Sequence, residues 1–164
     1  MFTESSIEAN NKQQFYNQLA TQLHYLITGE ANAIANLSNA SSLLNVYLQD
    51  INWVGFYLWS EADNELILGP FQGKPACIRI PAGKGVCGSA VASRRTMVVE
   101  DVHAFPGHIA CDPASRSEIV VPIVVQDKLI GVLDIDSPRV GRFDEEDAAG
   151  LEQVMEVLCK HTQF

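Results

Sequence analysis

Two runs of mainly apolar residues in the last third of the chain place the strongest limit on its fold. Residues 118–125 and 128–135 are separated only by Gln126 and Asp127. Two such runs joined by a two-residue turn predict an antiparallel β-hairpin. The chain therefore contains an antiparallel sheet, and the rest of the sequence must be arranged around it.

The remaining pattern predicts helices on both sides of a block of strands. Apolar residues recur at helical spacing over residues 11–28 and again over 34–48, and acidic residues after Phe143 are typical of the start of a C-terminal helix. Strands are predicted over 53–59, 66–71, 76–80 and 96–99, and a short helix over 86–95. This order predicts an α+β domain with one central antiparallel sheet and helices packed on it.

The composition fits one globular domain over residues 1–164, with 47% apolar and 19% charged residues and no repeat or linker. The net charge of -9 argues against nucleic acid and anionic membrane surfaces as partners. The N-terminus has no signal-peptide pattern, and no run of about 18 apolar residues occurs, so we expect a cytoplasmic protein. In that reducing compartment the four cysteines are expected to be packed or reactive, not structural disulfides.

The four cysteines lie in different local patterns. Cys111 falls in the loop over residues 100–117, where no apolar period requires a core residue, so it is a candidate reactive thiol. Cys87 begins the short helix, where the helix dipole stabilises a thiolate, but it also fits a small buried site, and both interpretations remain open. Cys77 lies in a predicted strand, which favours core packing. Cys159 lies on the apolar face of the last helix, which indicates packing without chemistry.

His103, His108 and Cys111 form an H-x4-H-x2-C pattern in the same loop. Structural zinc sites usually need two closely spaced ligand pairs, and the chain contains neither C-x2-C nor H-E-x-x-H. We therefore expect no metal and no cofactor.

Asp134 and Asp136 alternate with Leu133 and Ile135, so both carboxylates project from one face of a strand. In a hairpin that turns at residues 126–127, the numbers of paired residues sum to about 253. This register predicts that Glu118 lies across from Ile135 and beside Asp134 and Asp136. Three acids would then share a patch, and their repulsion would raise one pKa, as suits a proton donor. The alternative is a solvated sheet edge, and we do not expect this face to be core.

Trp53 and Tyr57 lie on one face of the first predicted strand, and Phe56 lies on the other. Core packing is the usual role of such aromatic residues. The strand pattern alone gives them no other role.

Four segments of the chain resemble the GAF-domain free methionine-(R)-sulfoxide reductases. They are NWVGFYL, LGPFQGKPACIRIPAGKGVCGSA, CDPASRSEIVVPI and GVLDIDSP, which lie between Asn52 and Pro138. The resemblance implies a GAF-like domain with about six antiparallel strands, usually a homodimer. It also implies reduction of free L-methionine (R)-sulfoxide, with thioredoxin as electron donor. The family's functional positions correspond here to catalytic Cys77, Cys87 and Cys111 and to substrate-binding Glu118, Asp134, Asp136, Trp53 and Tyr57.

The resemblance and the residues together suggest a mechanism. The Cys111 thiolate attacks the sulfoxide sulfur while Asp136 or Glu118 protonates the oxygen, which releases methionine and leaves a sulfenic acid on Cys111. A second thiol then forms a disulfide, and both Cys77 and Cys87 are candidates for it. A thioredoxin-like protein restores the thiols by exchange.

Two other functions fit the sequence. A non-catalytic GAF domain would bind a small molecule in the same pocket without turnover. A thiol redox switch would form a disulfide that changes binding to another protein, without release of methionine.

Overall fold

Six antiparallel strands form one sheet in the computed structural model, which describes residues 3, 5–109 and 111–164. The strand order is β3-β2-β1-β6-β5-β4. The strands are β1 Trp53–Ser60, β2 Glu65–Gly73, β3 Arg79–Pro81, β4 Met97–Val99, β5 Ser117–Val125 and β6 Lys128–Ser137. The predicted α+β class, six-stranded antiparallel sheet and C-terminal hairpin are confirmed.

Three helices cover one face of the sheet and one covers the other. The first group is α1 Lys12–Ile27, α2 Ala33–Tyr47 and α4 Glu145–His161, and α3 Gly85–Ser93 lies on the opposite face. In α1 and α2 the helix begins after an asparagine whose side chain accepts a backbone hydrogen bond. Within the described part of the chain, every helix is too short or too polar to cross a bilayer.

Alternation along the strands gives each face its own set of buried side chains. In β1, Val54 and Phe56 pack with α1, α2 and α4, whereas Trp53 and Tyr57 pack on the α3 side. In β6, Leu133 joins the first group. The α3 face is therefore where the predicted site residues of β1 and β6 project.

The hairpin register differs from the prediction by one residue at Glu118. Val125 pairs with Lys128, as the sum of 253 requires, but a β-bulge between Ile123 and Val124 shifts the remaining pairs. Glu118 therefore lies opposite Asp136 and not opposite Ile135. Because directly opposed residues share a face, the bulge is what puts Glu118 on the aspartate side of the sheet.

The strand predicted over residues 76–80 is wrong at its N-terminal end, because β3 begins only at Arg79. In the segment before β3, two backbone carbonyl oxygens accept hydrogen bonds from side chains of β1 instead of from a neighbouring strand. The Trp53 Nε1 donates to the carbonyl oxygen of Lys74 at 3.1 Å, and the Tyr57 hydroxyl donates to that of Cys77 at 2.9 Å. Residues 74–77 consequently form a loop across the α3 face, and Cys77 belongs to that loop.

Candidate active site

A pocket opens on the α3 face, between α3 and the loops that precede β3 and β5. It contains seven of the eight predicted site residues, and the eighth, Cys77, is bonded to one of them. The seven are Trp53, Tyr57, Cys87, Cys111, Glu118, Asp134 and Asp136. Residues as far apart in sequence as Trp53 and Asp136 meet here because β1 and β6 are neighbours and those two residues are paired.

Cys77 and Cys111 form a disulfide, with their Cα atoms 5.8 Å apart. The bond joins the loop before β3 to the loop before β5, so Cys77 is not the packed core residue that its predicted strand favoured. Cys87 and Cys159 carry free thiols. Of the two sequence candidates for a partner to Cys111, Cys77 is the one bonded in this structure.

The loop that carries Cys111 is fixed by its neighbour Asp112. This carboxylate accepts hydrogen bonds from the Ala114 backbone N–H at 2.9 Å and from Asn52 Nδ2 at 3.2 Å, and lies 3.8 Å from Lys74 Nζ. The Ala114 bond is the main cause that holds the pKa of Asp112 below its ordinary value. Sequence reasoning missed this role, since no periodicity connects Asp112 with Asn52, 60 residues earlier.

The three predicted acids are together, and instead of lying at a solvated edge, Glu118 and Asp134 are buried and Asp136 is half-buried. Glu118 and Asp134 are each 6% exposed, and they lie on β5 and β6 in the middle of the sheet. Burial raises the pKa of Asp134 to about 6. Burial, followed by repulsion from the neighbouring carboxylates, raises the pKa of Glu118 and of Asp136 well above its ordinary range. Glu118 and Asp136 therefore keep their protons to a higher pH than ordinary carboxyl groups do, while Asp134, with its pKa of about 6, is mostly ionised at neutral pH.

Cys87 lies in the first turn of α3 with its thiol donating toward Glu118 Oε1 at 3.9 Å. Of the two interpretations left open for Cys87, stabilisation of a thiolate by the helix does not describe this environment. Burial, followed by the charges of Asp134 and Glu118, raises the pKa of the Cys87 thiol well above its ordinary value. The alternative interpretation of Cys87 as a small buried residue describes its environment better.

An aromatic wall closes the side of the pocket formed by β1 and β2. The Trp53 ring stacks on Tyr57 at 5.8 Å and on Phe71 at 5.2 Å between centroids. Gly55 lies beneath this stack, where a Cβ atom would stand 2.8 Å from the Trp53 ring and 2.3 Å from the Phe71 Cβ. Glycine at this strand position is thus required by the close approach of the rings.

The H-x4-H-x2-C pattern does not form a ligand set, because Cys111 is bonded to Cys77 and His103 is exposed. His108 instead lines the pocket, with its Nδ1 4.0 Å from Glu118 Oε2. Burial, followed by the charge of His103, lowers the pKa of His108, so this imidazole is neutral at neutral pH. The loop pattern identified His108 as a residue of interest but suggested the wrong partners.

Cys159 lies in α4 on the opposite side of the sheet from the pocket, packed against the apolar core. Burial raises the pKa of its thiol to about 11, which keeps it protonated at neutral pH. The sequence prediction of a packed position is confirmed.

The pocket combines a bonded pair of cysteines, carboxyl groups whose pKa values are raised by burial, and a flat aromatic wall. This combination suits a small molecule with an apolar sulfur-bearing end and a group that accepts a proton. Chemistry of this kind moves two electrons through the cysteine pair.

Comparison with known proteins finds relatives of one family, both in sequence and in structure. The GAF domain family matches residues 26–161. The free methionine-R-sulfoxide reductase of Escherichia coli is 55% identical over 92% of this chain and 90% of its own, and that of Saccharomyces cerevisiae is 47% identical over 94% and 89%. The X-ray structure of free methionine-R-sulfoxide reductase from Neisseria meningitidis in complex with its substrate has a TM-score of 0.90. It is 44% identical, with 95% of this chain and 93% of that one covered.

Proposed function

Because the chain belongs to the GAF domain family and, within it, to the free methionine-R-sulfoxide reductases, we propose that it reduces free L-methionine (R)-sulfoxide to methionine. The observation that carries this proposal is the Cys77–Cys111 disulfide at a pocket lined by buried carboxyl groups. The disulfide is the product expected after one turnover of a two-cysteine reductase. The preference for the R epimer comes from the relatives alone.

In the first step the Cys111 thiolate attacks the sulfoxide sulfur. The attack forms a transient bond between the two sulfur atoms. As that bond and the sulfur–oxygen bond of the substrate break, the protonated oxygen passes to Cys111 as a hydroxyl, so methionine sulfoxide gains two electrons to become methionine and Cys111 becomes a sulfenic acid. The oxygen takes a proton from Glu118 or Asp136, whose pKa values are both raised by burial, which favours the protonated form that a proton donor needs. The acid is needed because an unprotonated sulfoxide oxygen is a poor leaving group.

In the second step Cys77 attacks the sulfenic sulfur, water leaves, and the disulfide forms. The Tyr57 hydroxyl, bonded to the Cys77 carbonyl, holds this loop in reach of Cys111. Cys87 is not needed for this bond, and its raised pKa makes it a weaker nucleophile at neutral pH. A reduced protein of the thioredoxin class then restores both thiols by thiol–disulfide exchange.

Selectivity for the free amino acid follows from charge. A free amino acid carries an ammonium group, and the ionised carboxylate of Asp134 has an oxygen, Oδ1, with no hydrogen-bond partner among the described residues. We assign this oxygen to the substrate ammonium. A methionine sulfoxide inside a peptide has no ammonium at that position, and the buried carboxylate would remain unpaired. The wall of Trp53 and Tyr57 borders the S-methyl group.

The deciding experiment supplies the protein with free methionine sulfoxide, thioredoxin, thioredoxin reductase and NADPH. We expect NADPH loss matched by methionine for the R epimer, with little for the S epimer or for N-acetyl methionine sulfoxide. Binding without NADPH loss would indicate a sensor. Oxidation of the cysteines by peroxide without methionine formation from sulfoxide would indicate a redox switch.

Single-turnover reactions test the roles of the individual groups. Cys77→Ser should release about one equivalent of methionine and then stall, whereas Cys87→Ser should continue to turn over. Glu118→Gln and Asp136→Asn should separate the two candidate acids, since loss of the proton donor slows methionine release by roughly a hundredfold. If Cys77→Ser releases no methionine at all, Cys77 takes part in the attack and the order of steps is wrong.

The homodimer and the cytoplasmic location stay predictions. Light scattering of the purified protein tests the first, and cell fractionation tests the second.

A further inference from the structure

Three donor atoms from different parts of the fold converge in the pocket. The Cys87 sulfur from α3 and one carboxylate oxygen each from Glu118 on β5 and Asp134 on β6 lie within 4.8 Å of one another, and all three residues are buried. Asp134 is more than nine-tenths buried, and its Oδ1 accepts no hydrogen bond from the described residues. A buried carboxylate oxygen without a donor is an unfilled binding position.

His108 adds a fourth donor. Its Nδ1 is 4.0 Å from Glu118 Oε2, is itself buried, and likewise lacks a hydrogen-bond partner within the described ranges. Sulfur, imidazole nitrogen and carboxylate oxygen are the three donor types that zinc takes in proteins. Magnesium and calcium prefer donor sets made only of oxygen, so the thiol makes this cluster selective.

We propose that Cys87, His108, Glu118 and Asp134 bind one Zn²⁺ ion, and that bound zinc excludes methionine sulfoxide from the pocket. The ion takes the place of the proton on the Cys87 thiol and of any proton on the two carboxyl groups, and no electrons move. Zinc holds thiolate sulfur at about 2.3 Å and oxygen or nitrogen at about 2.0 to 2.2 Å, so its ligand atoms lie about 3 to 4 Å apart. The donors of Cys87, Glu118 and Asp134 already lie within 4.8 Å of one another, and His108 Nδ1, 4.0 Å from Glu118 Oε2, must move toward the other two to complete the set.

The two parts of the inference rest on different premises. Zinc binding depends only on the four donors. Exclusion of the substrate rests on the proposed function, because it requires that Glu118 and Asp134 also bind methionine sulfoxide. Zinc would then be an inhibitor of the enzyme and not its cofactor.

The disulfide form of the protein gives the sharpest test of zinc binding. Cys77 and Cys111 are bonded in this form, so Cys87 and Cys159 are the only free thiols. Another candidate for adventitious zinc is the exposed pair His24 and His161, with ring nitrogens 2.9 Å apart across α1 and α4. Substitutions at Cys87, Cys159 and His161 therefore separate the pocket from the other positions.

The disulfide form is titrated with Co²⁺, whose bond to a thiolate gives a charge-transfer absorption band, and then with Zn²⁺ by calorimetry. We expect one equivalent of each metal and the charge-transfer band. Cys87→Ser should lose the band and bind Zn²⁺ at least tenfold more weakly. Cys159→Ser and His161→Asn should match the wild type, and Mg²⁺ should not displace Co²⁺. Circular dichroism establishes that Cys87→Ser is folded, and Asp134→Asn provides a second variant that should weaken Zn²⁺ binding.

Some results overturn zinc binding in the pocket. They are the absence of a charge-transfer band, a band that survives in Cys87→Ser, and a band that disappears in Cys159→Ser or His161→Asn. Competition is tested in the same form, because the pocket is present in it and its disulfide cannot reduce methionine sulfoxide. Methionine sulfoxide should weaken apparent Zn²⁺ binding more than an equal concentration of glycine, which controls for chelation in solution.

Equal effects of the two amino acids overturn the exclusion of substrate. A wild-type protein that gives the cobalt band but reduces no methionine sulfoxide overturns the proposed function and leaves the zinc site intact.

Discussion

Both faces of the sheet are buried and both contain apolar clusters, but the buried carboxyl groups of the described strands project on the α3 face only. On the face under α1, α2 and α4, residues such as Phe56, Leu133 and Ile135 form a continuous apolar core. On the α3 face the same strands bury Glu118 and Asp134 beside aromatic rings and a thiol. The first arrangement stabilises the fold by removing apolar area from water, whereas the second buries carboxyl groups at a cost in free energy.

Because successive side chains of a strand project to opposite faces of the sheet, one strand supplies residues that stabilise the fold and residues that line the pocket. Leu133 and Asp134 are neighbours in β6, yet one belongs to the core and the other to the pocket. A substitution of Leu133 should therefore lower stability without changing the chemistry, whereas a substitution of Asp134 should change the chemistry and remove the cost of burying a carboxylate. Four predictions test this separation.

The largest effect is expected for Cys111→Ser on the pocket side. The serine hydroxyl is not ionised near neutral pH, so it cannot attack the sulfoxide sulfur, and methionine release should fall by roughly a thousandfold or more. Cys111 is exposed, so the free energy of unfolding of the reduced protein should change by less than about 0.5 kcal/mol. Methionine is measured by chromatography after a single turnover. Activity above roughly a tenth of wild type would assign the attack to another cysteine.

Leu133→Ala should have the next largest effect, and on stability alone. Leu133 is fully buried in the apolar core, so truncation leaves a cavity and should lower the free energy of unfolding by about 3 to 5 kcal/mol. Urea unfolding of the reduced protein measures this loss. Methionine release per folded molecule at low temperature should stay within about twofold of wild type. A large loss of activity in a folded variant would contradict the separation of the two faces.

Asp134→Asn should have a smaller effect of opposite sign on stability. The pKa of Asp134 is about 6 in the folded protein against an ordinary value of 3.8. Between those two pH values the folded state keeps a proton that the unfolded state has lost, so the stability of the wild type falls as pH rises through that window. Below this pH window the carboxyl group is protonated in both the folded and the unfolded state. Above the window, the wild type has lost the full amount of stability that this group can remove.

Asparagine does not ionise, so Asp134→Asn should match the wild type near pH 4. It should be more stable by on the order of 1 to 3 kcal/mol at pH 7. Urea unfolding across this pH range measures the difference. A variant that is less stable than wild type at pH 7 would show that Asp134 contributes more through its contacts than its burial costs.

The sequence predicts the fold well because the relevant signals are local. The alternation of Leu133, Asp134 and Ile135 indicates a strand with two different faces, and the run from Lys12 to Ile27 has a helical period. The bulge at Ile123 carries no such signal, because a one-residue insertion into a ladder depends on how two strands twist together. That single residue decides whether Glu118 faces the pocket.

The sequence predicts which residues belong to the site, but it does not predict how deeply they are buried or what surrounds them. Similarity to a known family indicates the cysteines and acids, whereas the burial of Glu118 depends on α3 and on the loop carrying His108, both distant in sequence. The two interpretations of Cys87, a stabilised thiolate and a small buried residue, could not be separated from the sequence for the same reason. A helix terminus was visible in the sequence, and the buried carboxyl groups beneath it were not.

The smallest effect is expected for Cys159→Ser, which compares the same residue type on the two sides of the sheet. Cys159 is partly buried against the apolar core, on the opposite side of the sheet from the pocket. Its pKa of about 11 keeps it a thiol at neutral pH, so we expect no reaction at this sulfur. Methionine release and its thioredoxin-dependent turnover should equal those of wild type within error. The free energy of unfolding should change by less than about 1 kcal/mol. Because Cys111→Ser removes one sulfur atom from the pocket face and Cys159→Ser removes one from the core face, equal losses of activity in the two folded variants would mean that the chemistry is not confined to the α3 side.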